Sequence, residues 1–168
     1  MSKKVKVHVE ICREGVKLPV YARQGDAGMD VSAAEDLMIE PGQTVVIPTG
    51  IKLAIPEGYE IQVRPRSGIS LKTPLRVSNT PGTIDSGYRD ELGILLTNTS
   101  YASSENNGIF TIESKGNKHG SYRIRKGDRV AQIVLQQVPV ISFELVDNVA
   151  DIGYDRGGGL GSTGTNEL

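Results

Sequence analysis

Tryptophan is missing from the sequence, cysteine occurs once (Cys12), and imidazoles are limited to His8 and His119. A single cysteine excludes an intrachain disulfide framework and a thiolate metal cluster. Two histidines leave little from which to build a His-based zinc site or a serine-hydrolase triad. His8 lies in Lys4-Val5-Lys6-Val7-His8-Val9-Glu10-Ile11, where Val5, Val7, Val9 and Ile11 share one face of a strand. It is therefore expected to face outward with Lys6 and Glu10. His119, in the polar run 114–120, is expected to be solvated. Catalysis by this chain is left to carboxylates, amides, hydroxyls and arginines, with or without an added metal.

Neither sign of charge is in excess. Nineteen basic and 20 acidic residues give a net charge of −1, which argues against stable nucleic-acid binding or attraction to a membrane surface. There is no apolar run of the length a membrane helix needs and no signal-peptide pattern. The expectation is a soluble cytoplasmic domain. Six tyrosines and two phenylalanines are the only aromatics, so a large core must be aliphatic. A chain of 168 residues suits one domain, which buries about 70% of its unfolded surface.

Amphipathic helices are also lacking, and only Ile69–Lys72 reads as a helical turn. What is present is a succession of short β-prone runs. Leu37–Glu40 and Gln43–Ile47 flank Pro41-Gly42, and Ile51–Ile55 and Tyr59–Val63 flank Pro56-Glu57-Gly58, a pattern that predicts hairpins. Arg76–Ser78, Glu91–Thr97, Gly108–Glu113, Ser121–Ile124, Arg129–Pro139 and Ile141–Leu145 continue it. The fold class is all-β, an antiparallel sandwich or barrel. Residues 1–150 form the β domain, with a polar insertion at 101–121 expected to be a solvated hairpin. Residues 151–168 form a flexible glycine-rich arm.

Five stretches carry chemistry. GDAGMD (25–30) sets Asp26 and Asp30 around a glycine; Asp26 alone reads as an Asx-type turn entering a strand. RPRSG (64–68) offers Arg66, the Ser67 hydroxyl and backbone N–H groups at Gly68, a set able to grip phosphate. NTPGTIDSGYRDE (79–91) holds Asp85 and Tyr88 between Gly82 and Gly87. KGDRVAQ (126–132) is a turn followed by Gln132 at the start of an apolar strand, with Asp128 as a turn residue. DRGGGLGSTG (155–164) contains a literal GxGxxG, yet only four residues follow it. No helix can open there to receive a pyrophosphate, and a Walker loop would need a lysine. Each stretch alone is explained by ordinary turns.

In order, DAGMD, PRSG, NTPGTIDSGY, KGDRVAQ and RGGGLGSTG resemble the five motifs of the homotrimeric dUTPase family, the dUTP diphosphatases. The resemblance runs from Asp26 to Gly164 and implies a distorted jelly roll (β-clip) that assembles as a homotrimer with exchanged C-terminal arms. It implies hydrolysis of dUTP to dUMP and pyrophosphate, limiting uracil in DNA and supplying dUMP for dTMP synthesis. Asp85 matches the general base for water attack on the α-phosphorus, and Gln132 the amide beside that water. Tyr88 matches the ring under deoxyribose that leaves no room for a 2′-hydroxyl. Asn79 matches the amide that reads uracil, completed by backbone groups of Gly82, Thr83 and Ile84. Arg66, Ser67 and Gly68 match phosphate contacts, and Asp30 matches the position that holds Mg²⁺ through its water shell. Arg156 matches the arginine on the γ-phosphate, with Gly161, Ser162 and Thr163 beside it.

The sequence departs from the family at three places. Leu160 stands where a phenylalanine usually covers uracil, leaving either a weaker lid or another ring, Tyr154, over the base. Asp90 replaces a common glycine, either changing the hairpin's backbone or adding charge near Arg89. The 101–121 insertion is longer than usual, and a protein partner could dock there. Two rival readings follow. A dCTP deaminase-like nucleotide enzyme shares the fold but needs a carboxylate that RPRSGIS lacks. A nucleotide-gated regulatory module would use the insertion to bind a protein.

Overall fold

The structure, a computed structural model, describes residues 4–101 and 108–158. Numbered in chain order, β1 (His8–Ile11) pairs with β5 (Ile51–Ala54). A second sheet runs β4 (Thr44–Pro48), β9 (Gly93–Asn98), β7 (Leu75–Val77). A third runs β10 (Ile109–Thr111), β11 (Ser121–Ile124), β3 (Leu37–Ile39). The fourth and largest runs β2 (Met29–Ser32), β12 (Arg129–Gln137), β6 (Tyr59–Arg64), β8 (Gly82–Ile84). The helix α1 (Ser67–Lys72) contains the predicted helical turn, and a 3-10 turn covers Val149–Asp151. Among the described residues no helix is long and apolar enough to cross a membrane. The all-β jelly roll is as expected.

Alternation makes the strands and points them inward. In β9, Gly93–Asn98, every second side chain is buried, and the branched aliphatics of β9 and β12 suit a pleated, covered surface. Ile39, Ile47, Leu75, Ile94, Leu96 and Ile124 are fully buried. The core is aliphatic except for Tyr122, whose hydroxyl donates to the Lys118 carbonyl at 2.8 Å.

Four expectations need correction. The turns at Gly42 and Gly58, both with positive φ, do not close hairpins, because β3 and β4, and likewise β5 and β6, belong to different sheets. In a jelly roll a tight turn sends the chain across the sandwich, so turn chemistry marks the reversal but not the partner. The described part of the insertion is not a hairpin either: β10 lies parallel to β11. Ile141–Leu145 forms no strand: β12 ends at Gln137, and no strand is found from there to residue 158. Ile141, Phe143 and Leu145 are accordingly 74%, 92% and 101% exposed. Finally, His119 is half-buried, its ring 4.4 Å from that of Tyr101. His8 is exposed as predicted.

One buried amide joins three segments of the barrel. Asn98 donates through Nδ2 to the Ile39 and Gly120 carbonyls (2.9 and 2.8 Å), and its Oδ1 accepts from Ser100 N at 3.0 Å. Removing that amide leaves buried backbone groups without partners, which costs more than the bonds themselves contribute. Asn98→Ala is expected to lower unfolding free energy by about 2–4 kcal/mol, read from urea denaturation at fixed protein concentration. A change within experimental error would show that these carbonyls find other partners.

Candidate active site

Strand β12 lies between β2 and β6, and its register sets Gln132 opposite Asp30 on one side and Arg64 on the other. One residue along, Ile133 faces Met29 and Val63, and Val63 faces Gly82 of β8. Residues directly opposite across antiparallel strands share a face. The sheet thus gathers four of the five sequence stretches at one end, although they span residues 25–132.

Asp30, partly buried, is held by two arginines. Its Oδ1 accepts from Arg66 Nε at 2.8 Å, and Oδ2 accepts from Arg66 Nη2 at 3.1 Å and Arg129 Nη1 at 3.0 Å. Arg66 Nη1 also donates to the Arg129 carbonyl at 3.0 Å. Three of the five guanidinium N–H groups of Arg66 are thereby used, leaving two for an anion. A carboxylate has about four acceptor positions, so one remains on Asp30 Oδ1. That suits a water-mediated contact to a hydrated Mg²⁺ carried by phosphates, and it does not suit direct coordination in an all-protein cage. No cluster of three or more ligating side chains exists among the described residues.

Arg66 ends the extended segment after β6, and α1 begins at Ser67. Ile69 N and Ser70 N both donate to the Arg66 carbonyl at 3.1 Å. The N–H groups of Ser67 and Gly68 precede the first helical bonds and have no partner among the described residues, as at any helix start. Gln132 Nε2 donates to the Pro65 carbonyl at 2.8 Å, tying the fourth stretch to the second. Gly28 makes room for this: a Cβ there would lie 2.6 Å from Gln132 Oε1.

The third stretch enters through β8, an edge strand, so half of the backbone groups of Gly82, Thr83 and Ile84 face away from β6. Asn79 packs its amide against Gly82, where a Cβ would stand 3.0 Å from Nδ2. Asp85 is exposed at the end of β8, and its carbonyl accepts from Tyr88 N at 3.1 Å. The Tyr88 hydroxyl donates to the Glu91 carbonyl at 2.9 Å. Asp90 has no positive φ and no ion pair with Arg89, which instead donates to the Ser86 and Tyr88 carbonyls.

The turn residues behave as read. Asp26 Oδ2 accepts from Arg23 N, and Asp128 Oδ2 from Arg125 N, each at 2.8 Å. Of the fifth stretch only residues 155–158 are described. Arg156 and Tyr154 are exposed on the arm, and Leu160, Gly161, Ser162 and Thr163 lie outside the described residues. Two contributors escaped the sequence reading, Gly28 and Arg129, both inside the quoted stretches. Gly28 alone had a signal, as a small residue one position before a strand.

A sequence profile described as dUTPase matches residues 14–107. The deoxyuridine 5′-triphosphate nucleotidohydrolase of Clostridium tetani is 41% identical over 158 residues, covering 93% of this chain and 94% of that protein. A structure of a variant dUTPase from Staphylococcus bacteriophage 80alpha with dUpNHpp superposes with a TM-score of 0.84 at 30% identity, covering 96% of this chain and 100% of that one. A variant dUTPase from phage phi11 of S. aureus, described with a structural Mg(II) ion, gives a TM-score of 0.77 at 32% identity, over 87% and 99%.

Gly28→Ala is expected to push the Gln132 amide off the Pro65 carbonyl and lower catalytic turnover by on the order of tenfold to a hundredfold, with the circular dichroism spectrum retained. Full turnover would show that the position of Gln132 is not critical.

Proposed function

The chain belongs to the dUTPase family, and on that premise we propose how its own residues carry out the hydrolysis of dUTP. The single observation that carries the reading is the gathering of Asp30, Arg66, Gln132 and the β8 edge at one end of one sheet, with Asp85 at the end of β8. The dCTP deaminase reading is not favoured.

Water attacks the α-phosphorus, the new P–O bond forms, and the bond to the bridging oxygen breaks to release pyrophosphate. Asp85 takes the proton of that water. Its carboxylate has no partner among the described residues and is open to solvent, as a general base must be before substrate arrives. Gln132, fixed through one N–H to Pro65 O, keeps its other N–H and its carbonyl for the water and the α-phosphate. Asn79 offers both a donor and an acceptor, matching uracil O4 and N3–H, and the free edge of β8 completes the base contacts. The two unused N–H groups of Arg66, with Ser67 and the N–H of Gly68, meet the phosphate chain. Mg²⁺, held through water near Asp30, would supply charge neutralisation on the phosphates. No covalent intermediate is needed, because positioning and electrostatics suffice.

The arm supplies what one chain lacks. Val140, Ile141, Phe143 and Leu145 stand 74–101% exposed, and Val5, Val7, Val9, Leu18 and Tyr21 line an open apolar groove. Surfaces of this kind on a soluble protein mark an interface. The reading is a homotrimer in which Arg156 closes over the γ-phosphate at a neighbouring copy's site, with Gly161, Ser162 and Thr163 beside it. Leu160 or Tyr154 then covers the base. A separate role for the insertion in docking a protein is favoured by Ile109, 69% exposed beside Met38.

Asp85→Asn is expected to reduce kcat by on the order of a thousandfold while nucleotide affinity, measured with a non-hydrolysable analogue, stays within a few-fold. Near-normal kcat would remove Asp85 from the role of base. Light scattering should give a mass three times the 18.1 kDa of the chain, and a fully active monomer would refute the shared site.

A further inference from the structure

Tyr88 is fixed at two points. Its N–H donates to the Asp85 carbonyl and its hydroxyl to the Glu91 carbonyl, at 3.1 and 2.9 Å. The plane of the ring therefore depends on where Glu91 sits. Glu91 is the last residue of the loop before the chain re-enters the core at Leu92, which is 1% exposed. Leu92 itself is tied to the turn between β4 and β5: its N–H donates to the Ile51 carbonyl, and its carbonyl accepts from Thr49 Oγ1 at 2.6 Å.

The Glu91 side chain is held just as firmly. Arg13 Nε lies 2.8 and 3.0 Å from its two oxygens, and Gly50 N donates to Oε1 at 2.7 Å. Arg13 is braced in turn through Nη1, 2.9 Å from Glu35 Oε2. Its chain is locked to the same turn, since Cys12 N donates to the Gly50 carbonyl at 2.9 Å. Gly50 has φ +73°, and a Cβ there would meet Val16 Cγ2 at 2.3 Å. Three segments distant in sequence thus converge behind the loop that carries Asp85 and Tyr88. Arg13 is 39% exposed and Glu35 47%, and exposed ion pairs add little to stability. What this arrangement supplies is a fixed position for Glu91.

We propose that Arg13, acting through Glu91, is a positioning residue for Tyr88 and sets how strictly the enzyme excludes ribonucleotides. The inference rests on the reading of Tyr88 as the ring beneath deoxyribose. A ring that cannot retreat clashes with a 2′-hydroxyl, whereas a ring on a loosened loop gives way, and selectivity by exclusion falls as the wall softens. The effect appears in the comparison of two substrates more than in the rate on the preferred one.

The test measures kcat/KM for UTP and for dUTP in the intact enzyme and in Arg13→Gln, Tyr88→Phe and the double variant. Arg13→Gln is expected to raise the UTP:dUTP ratio by on the order of fivefold, equivalent to about 1 kcal/mol. Tyr88→Phe, which removes the hydroxyl that reads the Glu91 position, should shift it in the same direction. The double variant should exceed the larger single effect by little, because both act through one contact. Arg13→Lys, which keeps the charge but loses the planar fork, should fall between wild type and Arg13→Gln. A lower melting temperature with an unchanged ratio would overturn the proposal, as would single effects that multiply. If Arg13→Gln does not yield folded protein, Glu91→Gln carries the same expectation and the same refutation. Tyr88→Ala separates the two layers. An unchanged ratio in that variant defeats the Tyr88 reading itself and the clamp with it, while a relaxed ratio beside an unresponsive Arg13→Gln defeats the clamp alone.

Discussion

The hydrogen-bonded register of β12 between β2 and β6 is the constraint on which the site depends. Because side chains alternate with a period of two, a slip of one residue would turn Gln132 to the opposite face and bury a polar amide where Ile133 now packs. The apolar positions on that opposite face prevent this: Ala131 and Ile133 are both buried, with a shift in register between Arg129 and Ala131. That irregularity leaves Arg129 free to donate to Asp30 through its side chain and to accept from Arg66 at its carbonyl. Core packing therefore fixes the chemistry at one remove.

Charge is balanced locally around that register. Asp30 holds two arginines at one end of the sheet and is left with one acceptor position, while Arg66 keeps two donors. A site for a polyanion needs cations that are in place before the ligand arrives, since ordering them on binding would cost affinity. The Asp30–Arg66–Arg129 cluster does this with a net positive charge. On the other side, the loop from Asp85 to Glu91 depends on backbone carbonyls and on the Arg13–Glu91 contact, so the groups proposed for the phosphates and the ring proposed for the sugar rest on separate supports.

Much of this could be read from the sequence. The strands β5, β6, β9 and β11 followed from short β-prone runs between turn residues, and Asp26 and Asp128 proved to be turn residues. The five stretches pointed to the family because their combination and order are specific, although each alone reads as an ordinary turn. Sheet membership could not be read, because Pro41-Gly42 and Pro56-Glu57-Gly58 encode a reversal and not a partner. Ile141–Leu145 has the pattern of a strand, but it has no strand partner among the described residues and its apolar side chains stand exposed. Arg13 stayed hidden for a related reason: its place comes from a contact across the fold with Glu91, which no local pattern announces.

The central claim is that this sheet end binds dUTP and hydrolyses it at the α-phosphorus. The most direct measurement mixes the protein and Mg²⁺ with dUTP, UTP, dCTP and dTTP separately, and follows pyrophosphate and ammonia. The account predicts rapid pyrophosphate release from dUTP alone, with no ammonia from any nucleotide. Ammonia from dCTP, or equal pyrophosphate release from several nucleotides, would contradict it.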